Sequence, residues 1–338
     1  MNKRIFYYDE LRCIAILLVI LAHVSRIYVP FNYSNLYNSI PGFVNVIGFM
    51  GVPLFFMLSG ALLLNKEYHS LSSFYKKRFS RIIPPFIFWM FLTVSVVFLF
   101  FNPDDIPFLI IGKDNYTWFF WAISSIYLVL PIFNSFLKEY GETGVKLILV
   151  LWIISTILTT FKYDPIEYFN LSYVSGFIGY FILGYYLSHA DFRINKLYLI
   201  VIGFLMMIVG NFMHMLIKFN DWNILTSYNS LFVVIASTGL FLIFKGIDDY
   251  CNISFNSKLS YIHKKIENGK MGKLILLIST CSYGMYFANS LILRFIKTLN
   301  ITSFKWIPIL FIFVTISSLA LVLIFSKIKF LNNFSGAS

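Results

Sequence analysis

Residues 11–29 read LRCIAILLVILAHVSRIYV, an apolar run interrupted mainly by Arg12, His23 and Arg26. A helix needs about 20 apolar residues to cross a bilayer, and similar runs recur to the end of the chain. Of the 338 residues, 59% are hydrophobic and only 12% are charged, whereas about a quarter of an ordinary soluble domain is charged. This composition excludes a soluble enzyme. It predicts an all-α integral membrane protein in which residues 1–338 form a single polytopic domain.

The apolar runs divide into about ten predicted transmembrane helices, of which the fifth, sixth and eighth are short. No internal repeat is visible, which weakens an inverted-repeat transporter as an interpretation. The predicted spans are residues 11–29, 43–64, 82–101, 117–136, 145–161, 171–187, 198–217, 231–244, 274–293 and 307–326.

The basic residues test this topology independently, because cytoplasmic loops carry an excess of Lys and Arg. With the N-terminus inside, 19 of the 27 basic residues fall on inside segments and seven on outside segments or helix ends, with Arg12 set apart within the membrane. This asymmetry predicts that both termini are cytoplasmic. The seven outside residues are Arg26, Lys113, Lys162, Lys218, Arg294, Lys297 and Lys305.

The net charge of +12 does not indicate a nucleic-acid partner, because the basic residues lie in short segments between apolar runs. We interpret these residues as topology signals and as contacts for phosphates and membrane lipid headgroups. The three cysteines, Cys13, Cys251 and Cys281, form no paired framework. Neither disulfides nor a zinc site is therefore predicted, and we expect no metal cofactor.

The first span carries the strongest candidates for catalysis, because ionisable groups within a membrane are costly and usually functional. Arg12 and His23 are eleven residues apart, so they share one helix face about 16 Å apart along the axis. An imidazole is well suited to take a proton from a hydroxyl near neutral pH. The alternative is a histidine that only hydrogen-bonds between helices. Asp9, three residues before Arg12, is predicted to position it.

The other four histidines are weaker candidates for catalysis. His69, His189 and His263 fall in or beside predicted cytoplasmic segments, and His214 lies near a predicted outer helix end. We therefore expect these side chains to be solvated or interfacial.

A second candidate site is the basic stretch 74–85, which reads FYKKRFSRIIPP. Arg78 and Arg81 are three residues apart and would lie on one side of a helix. Pro84 and Pro85 suit the first turn of the following span. A guanidinium pair beside a helix N-terminus suits phosphates, and the alternative is an ordinary cluster that binds anionic lipid headgroups.

The third feature is the stretch 51–60, GVPLFFMLSG, whose small residues and Pro53 interrupt an apolar helix. Close helix packing explains such a pattern without catalysis. Ser59, within it, is a polar group at depth. Near the fourth span, Trp118 and Tyr127 are expected either to form part of an interfacial aromatic belt or to line an acceptor path.

Taken together, these segments resemble the acyltransferase 3 family of bacterial membrane O-acyltransferases. The resemblance covers nearly the whole chain, and its specificity lies in the order and spacing of the first three motifs. The matching residues are Asp9-x-Leu11-Arg12 followed by ten residues and then His23, the 51–60 stretch, Lys77-Arg78-Phe79-x-Arg81-Ile82-x-Pro84, and more weakly Trp118-Phe119 through Tyr127 and Pro131, and Ser282-Tyr283-Gly284-Met285-Tyr286.

The resemblance implies a roughly ten-helix fold in a bacterial plasma membrane, with acyl-CoA as the donor on the cytoplasmic side. It implies acceptors that are usually sugar hydroxyls of cell-envelope glycans, and acetyl as the usual acyl group. It also implies essential roles for His23 and Arg12, and donor contacts from Arg78 and Arg81. Asn289 departs from the family pattern, because a histidine often stands there, so the role of that histidine does not carry over.

The resulting hypothesis is an O-acyltransferase that uses acyl-CoA, most simply acetyl-CoA, to acylate an envelope glycan outside the cell. His23 would deprotonate the acceptor hydroxyl, with direct transfer and an acyl-enzyme both open. A transporter or flippase for a glycan or lipid-linked precursor, and an inactive sensor or assembly subunit, are the alternatives. The residues proposed for the substrate path are Ser59, Trp118, Tyr127, Tyr283 and Asn289.

Overall fold

The computed structural model describes residues 4–29, 36–68, 70–101, 103–110, 117–162, 176–219, 227–254, 257–301 and 303–337. Within these ranges the chain is predominantly helical and has no β-strand, as predicted. His69 and the beginning of the predicted span 171–187 lie outside the described residues.

The described chain contains twelve α-helices. They are α1 (Phe6–Arg26), α2 (Leu36–Gly48), α3 (Gly51–Leu63), α4 (Leu71–Phe100), α5 (Ile106–Ile110), α6 (Trp118–Thr160), α7 (Phe177–His189), α8 (Lys196–Phe219), α9 (Leu231–Ile253), α10 (Lys258–Asn268), α11 (Lys270–Thr298) and α12 (Ile307–Lys327).

Seven helical stretches of the described chain are long and apolar enough to cross a bilayer. A lipid-exposed backbone must satisfy its hydrogen bonds internally, which a helix does. The all-α membrane fold is therefore confirmed, while the count of ten spans and the cytoplasmic termini stay predictions. The seven stretches are Ser39–Leu63, Leu71–Phe100, Trp118–Thr160, Lys196–Phe219, Leu231–Ile253, Lys270–Thr298 and Phe304–Lys327.

The difference between seven and ten has a local explanation. Helix α6 contains two predicted spans, because Gly141 breaks its helical geometry with a φ of 54°, a conformation that glycine adopts without steric cost. Helix α7 has only 13 residues. Helix α1 carries three charged residues, Asp9, Glu10 and Arg12, near its start, and for this reason it is not among the seven.

Helix α4 begins earlier than predicted. Ser70 caps it, accepting a hydrogen bond from the Ser73 amide, so the basic stretch is already helical and Pro84 and Pro85 lie inside the helix. Their predicted place in its first turn is wrong. Lys and Arg are good helix formers, and a membrane helix tolerates proline where neighbouring groups satisfy the freed carbonyls.

Gly60, at the end of the 51–60 stretch, and Gly184 allow the backbones of α3 and α7 to approach each other closely. A Cβ on Gly60 would collide with the carbonyl of Phe181, and a Cβ on Gly184 would collide with that of Met57. Helices α3 and α7 therefore approach each other through these glycines, as small residues allow in membrane bundles.

The chain divides into two compact units, and three of the boundaries between them fall within α1, α6 and α11. Of the residues predicted for the site, Asp9, Arg12 and Ser59 belong to the first unit and the others to the second. The first unit is Met1–Ala22, Val29–Asn65 and Phe136–Ser279, and the second is His23–Tyr28, Lys66–Ser135 and Thr280–Ser338.

Candidate active site

His23 lies near the end of α1 and is buried in the second unit. Its Nδ1 is 2.8 Å from Oδ1 of Asn289 on α11. The Nδ2 group of Asn289 donates to the carbonyls of Met285 and Tyr286, at 2.9 and 2.6 Å. These two bonds determine that the amide presents its oxygen, not its nitrogen, to the imidazole.

The orientation of Asn289 assigns the tautomer of His23. A side-chain carbonyl oxygen only accepts hydrogen bonds, so Nδ1 of His23 must carry the proton that it donates. In the neutral imidazole the other nitrogen, Nε2, then holds the lone pair. Asn289 is therefore the direct partner of the predicted catalytic histidine, although it departs from the family pattern in sequence.

Aromatic side chains connect His23 with other predicted residues of the second unit. The ring of Tyr286 is centred 6.1 Å from the imidazole, and Phe119 is 5.1 Å from Tyr286. Trp118 follows at 6.3 Å from Phe119. The predicted path residue Trp118 thus belongs to an aromatic series that begins at His23.

Tyr283 has a different environment. Its hydroxyl donates to the carbonyl of Ile82 at 3.0 Å, in the part of α4 that precedes the two prolines. Its ring also packs edge-on against Phe287, 5.2 Å away. Tyr283 therefore joins α11 to α4, and its observed contacts are those of a packing residue.

The basic stretch holds a buried cation. Arg78 is only 9% exposed, and its guanidinium lies 5.8 Å from the ring centre of Phe74. Its Nε is buried and has no hydrogen-bond partner in the described chain. Native structures pair nearly all buried polar groups, so this nitrogen is a candidate contact for an anionic ligand. Arg81, its predicted companion, is exposed.

Two lysines add charge near Arg78. Burial, and then the charges of Arg78 and Lys77, lower the pKa of the Lys66 ammonium. Lys66, Lys77 and Arg78, named here the basic cluster, therefore lie close enough to repel one another. Lys66 is one of the basic residues on the predicted inside segments, and its distance in sequence from Arg78 gave no indication of this proximity.

Tyr127 lies beside this part of α4. It is buried, and its ring meets that of Phe79 edge-on at 6.4 Å. One helical turn earlier, the hydroxyl of Tyr75 donates to the carbonyl of Leu128 at 2.9 Å. Tyr127 is thus close to the basic cluster, whereas Trp118 belongs with His23.

In the first unit, Asp9 is buried in a network of charge-assisted hydrogen bonds. Arg4 binds its carboxylate through two nitrogens, at 2.6 and 2.8 Å, and the Ser279 hydroxyl donates to it at 2.7 Å. Arg12 is half-buried on the same helix. Arg4 was not predicted as the partner of Asp9, and the role of Asp9 in positioning Arg12 stays a prediction.

Ser59 uses its hydroxyl within its own helix, donating to the carbonyl of Phe55 at 2.8 Å. The side chain is half-buried in the first unit. A role in the substrate path stays a prediction.

Two of the other histidines are not solvated, so their prediction was wrong. His263 on α10 is buried, and its Nε2 is 3.4 Å from a carboxylate oxygen of Glu10. The hydrogen bond to Glu10 raises the pKa of His263, and burial only partly opposes this. His214 on α8 is also buried, at 1% exposure. His189 is exposed, as predicted.

The side chains at these positions are of types that can transfer a proton and bind an anion. Within the described ranges, no group of three or more His, Cys, Asp or Glu side chains is arranged to hold a metal ion. The second unit instead offers a buried imidazole of assigned tautomer and, on α4 and the segment before it, a cationic cluster.

Fold and site together define a helical multi-pass membrane protein with a buried histidine. Comparison with protein families identifies it further: a family profile described as an acyltransferase domain matches residues 5–327. The chain therefore belongs to the acyltransferase 3 family, as the sequence motifs predicted, and is a membrane acyltransferase. Searches of curated proteins and of solved structures gave no significant match.

Proposed function

We propose that this protein transfers an acyl group, most simply acetyl, from acyl-CoA at the cytoplasmic face of a bacterial plasma membrane to a hydroxyl of an envelope glycan outside. The observation that carries the proposal is the hydrogen bond between Nδ1 of His23 and Oδ1 of Asn289. It favours the tautomer in which Nε2 can act as a base.

In the proposed reaction, Nε2 of His23 takes the proton of the acceptor hydroxyl while its oxygen attacks the thioester carbonyl. The new C–O bond forms and the C–S bond breaks. The departing coenzyme A thiolate then takes the proton back from Nε2. General-base catalysis of this kind contributes about 10²–10⁴-fold to a rate. In an acyl-enzyme route, the same lone pair would attack the thioester first.

Asn289 acts as a positioning residue in this proposal. When Nε2 accepts a proton, the ring becomes positively charged, and its Nδ1–H bond to Oδ1 strengthens. Hydrogen bonds to charged groups contribute about 1.5–3 kcal/mol, against about 0.5–1.5 kcal/mol between neutral groups. The amide therefore stabilises the protonated state that forms during transfer.

The basic cluster supplies the donor site. Coenzyme A carries phosphates, and guanidinium groups bind phosphate through charge-assisted hydrogen bonds. Arg78 contributes a buried Nε with no partner in the described chain, while the exposed Arg81 contributes mainly long-range attraction. Tyr127 borders this donor end, and Trp118 borders the histidine.

The proposal is tested by incubating purified protein in liposomes with acetyl-labelled acetyl-CoA and a glycan acceptor. We expect covalent label on the acceptor, and His23→Ala should lower this transfer at least about 100-fold. Movement of the acceptor across the membrane without label transfer would support a flippase and refute the proposal.

A further inference from the structure

A buried histidine in the first unit is not used by the proposed reaction. His214 on α8 is 1% exposed, and neither of its ring nitrogens has a hydrogen-bond partner in the described chain. A neutral imidazole carries one donor and one acceptor, and leaving both unpaired in a buried place is costly. Such a group is expected where a ligand supplies the missing partners.

The surroundings of His214 combine a cation, an amide and two aromatic rings. Lys218 follows one turn later on α8; its Nζ donates to Oδ1 of Asn45 at 3.0 Å and lies 5.6 Å from the ring centre of Phe49. Phe49 is in turn 5.4 Å from the imidazole and 4.7 Å from the ring of Tyr228. These five residues are named here the His214 cluster.

The cluster is attached to the chain segment that carries the catalytic histidine. Nδ2 of Asn45 donates to the carbonyl of Ala22 at 2.9 Å, and Ala22 immediately precedes His23 in α1. One side-chain amide therefore links the ammonium of Lys218 to the backbone next to His23. By the predicted topology, Lys218 stands at an outer helix end, on the side of the acceptor.

Positive charge also accompanies His23 in the second unit. Arg26 and Lys297 are close enough to act on its imidazole electrostatically, and both belong to the residues predicted to face outward. They favour an acceptor of negative charge.

We propose that the His214 cluster binds the anionic group, a carboxylate or a phosphate, of an acidic glycan acceptor. Lys218 meets the negative charge, the ring nitrogens of His214 hydrogen-bond the same residue of the glycan, and Phe49 and Tyr228 form apolar walls of the site. This inference rests on the proposed function, because it specifies the chemical class of the acceptor.

Binding measured without transfer tests the inference directly. Titration calorimetry of purified protein in neutral detergent would compare a hexasaccharide containing glucuronate, a glycerol phosphate hexamer and a neutral hexamer of N-acetylglucosamine. We expect one of the anionic oligomers to bind more tightly than the neutral one. The glucuronate arm identifies a carboxylate glycan and the glycerol phosphate arm a phosphate polymer. Equal or tighter binding of the neutral hexamer overturns the inference.

Two variants and one control sharpen this test. Lys218→Gln should lower affinity for the anionic oligomer at least about tenfold, whereas Lys305→Gln, which removes an exposed charge on the same predicted side, should not. His214→Phe should weaken binding and raise the Tm of the ligand-free protein, because it removes two unpaired buried groups. A lowered Tm with unchanged binding would mean that His214 is structural and would overturn the inference.

The inference and the proposed function fail separately. If anionic oligomers bind in a Lys218-dependent way but no label is transferred from acetyl-CoA, the acyl-transfer proposal is wrong and the binding site stands. If label reaches the anionic acceptor with undiminished efficiency in Lys218→Gln, the acyl-transfer proposal stands and the anionic site is refuted.

Discussion

Replacing Asn289 by Leu tests the central hydrogen bond of the site. The variant removes the acceptor of the bond from Nδ1 of His23 while keeping a side chain of similar size. The bond strengthens when the ring gains a proton, by about 1–1.5 kcal/mol from the difference between charged and neutral hydrogen bonds. Losing this difference lowers the rate about tenfold.

Loss of tautomer control adds a smaller effect. Without Oδ1 nothing at this position selects the Nδ1–H form, so up to about half of the molecules would hold the lone pair on the wrong nitrogen. Together the two effects predict that kcat of Asn289→Leu falls roughly ten- to twentyfold. The KM for acyl-CoA should not change, because the basic cluster is untouched.

The assay is the initial rate of label transfer in liposomes, normalised to folded protein. Asn289→His should recover part of the rate, since a ring nitrogen can accept from His23. Ser290→Ala is the matched control: it removes a neighbouring buried hydrogen bond, from the Ser290 hydroxyl to the carbonyl of Phe287 at 2.7 Å, that does not involve His23. Unchanged kcat in Asn289→Leu would refute the positioning role.

Three further predictions use other parts of the chain. Arg78→Ala should raise the KM for acyl-CoA and leave the KM for the acceptor almost unchanged. Arg78→Lys should recover only part of the donor affinity because Lys lacks the planar fork, and Arg81→Ala should raise the KM for acyl-CoA less than Arg78→Ala because Arg81 is exposed. Equal donor affinity in all variants would contradict this prediction. The hydrogen bond to Glu10 raises the pKa of His263. The pair therefore stabilises the folded protein fully below about pH 6.5, and this stabilisation is lost as pH rises through the raised pKa of His263. The Tm should fall over that pH range in the wild type but not in His263→Gln. In a cysteine-free background, Ser70→Cys should be protected from an impermeant thiol reagent on intact cells and Asn300→Cys labelled; the reverse would overturn the topology.

Much of the fold could be predicted because membrane insertion depends on local composition. A run of about 20 apolar residues must form a helix to satisfy its backbone in lipid, and this property is visible in the sequence alone. Seven helical stretches of the described chain agree with this prediction, and the break at Gly141 in α6 falls between the predicted spans 117–136 and 145–161. The beginning of α4 was not predicted, because basic residues continue a helix outside the membrane without changing the hydropathy pattern.

Part of the site could also be predicted, because burying an ionisable group in an apolar segment costs free energy. His23 and Arg78 are ionisable groups in or beside apolar segments, where only function or a partner justifies them. His263 and His214 were expected to be solvated or interfacial from their positions in the sequence, and this expectation was wrong because both are buried. The partner of His263, Glu10, is 253 residues away in sequence, and no local pattern indicates such a pairing.

The sequence by itself thus determined that the chain crosses a membrane as helices, which family it resembles, and which histidine and arginines are candidates for chemistry. Only the tertiary structure decided what these side chains touch. Asn289 meets His23 across 266 residues, and Lys218 reaches Asn45. Lys66 lies close enough to Arg78 to be influenced by its charge. Hydropathy reflects the transfer free energy of each segment, whereas a hydrogen bond requires two atoms within about 3 Å in suitable directions, and distant helices meet that condition only after packing.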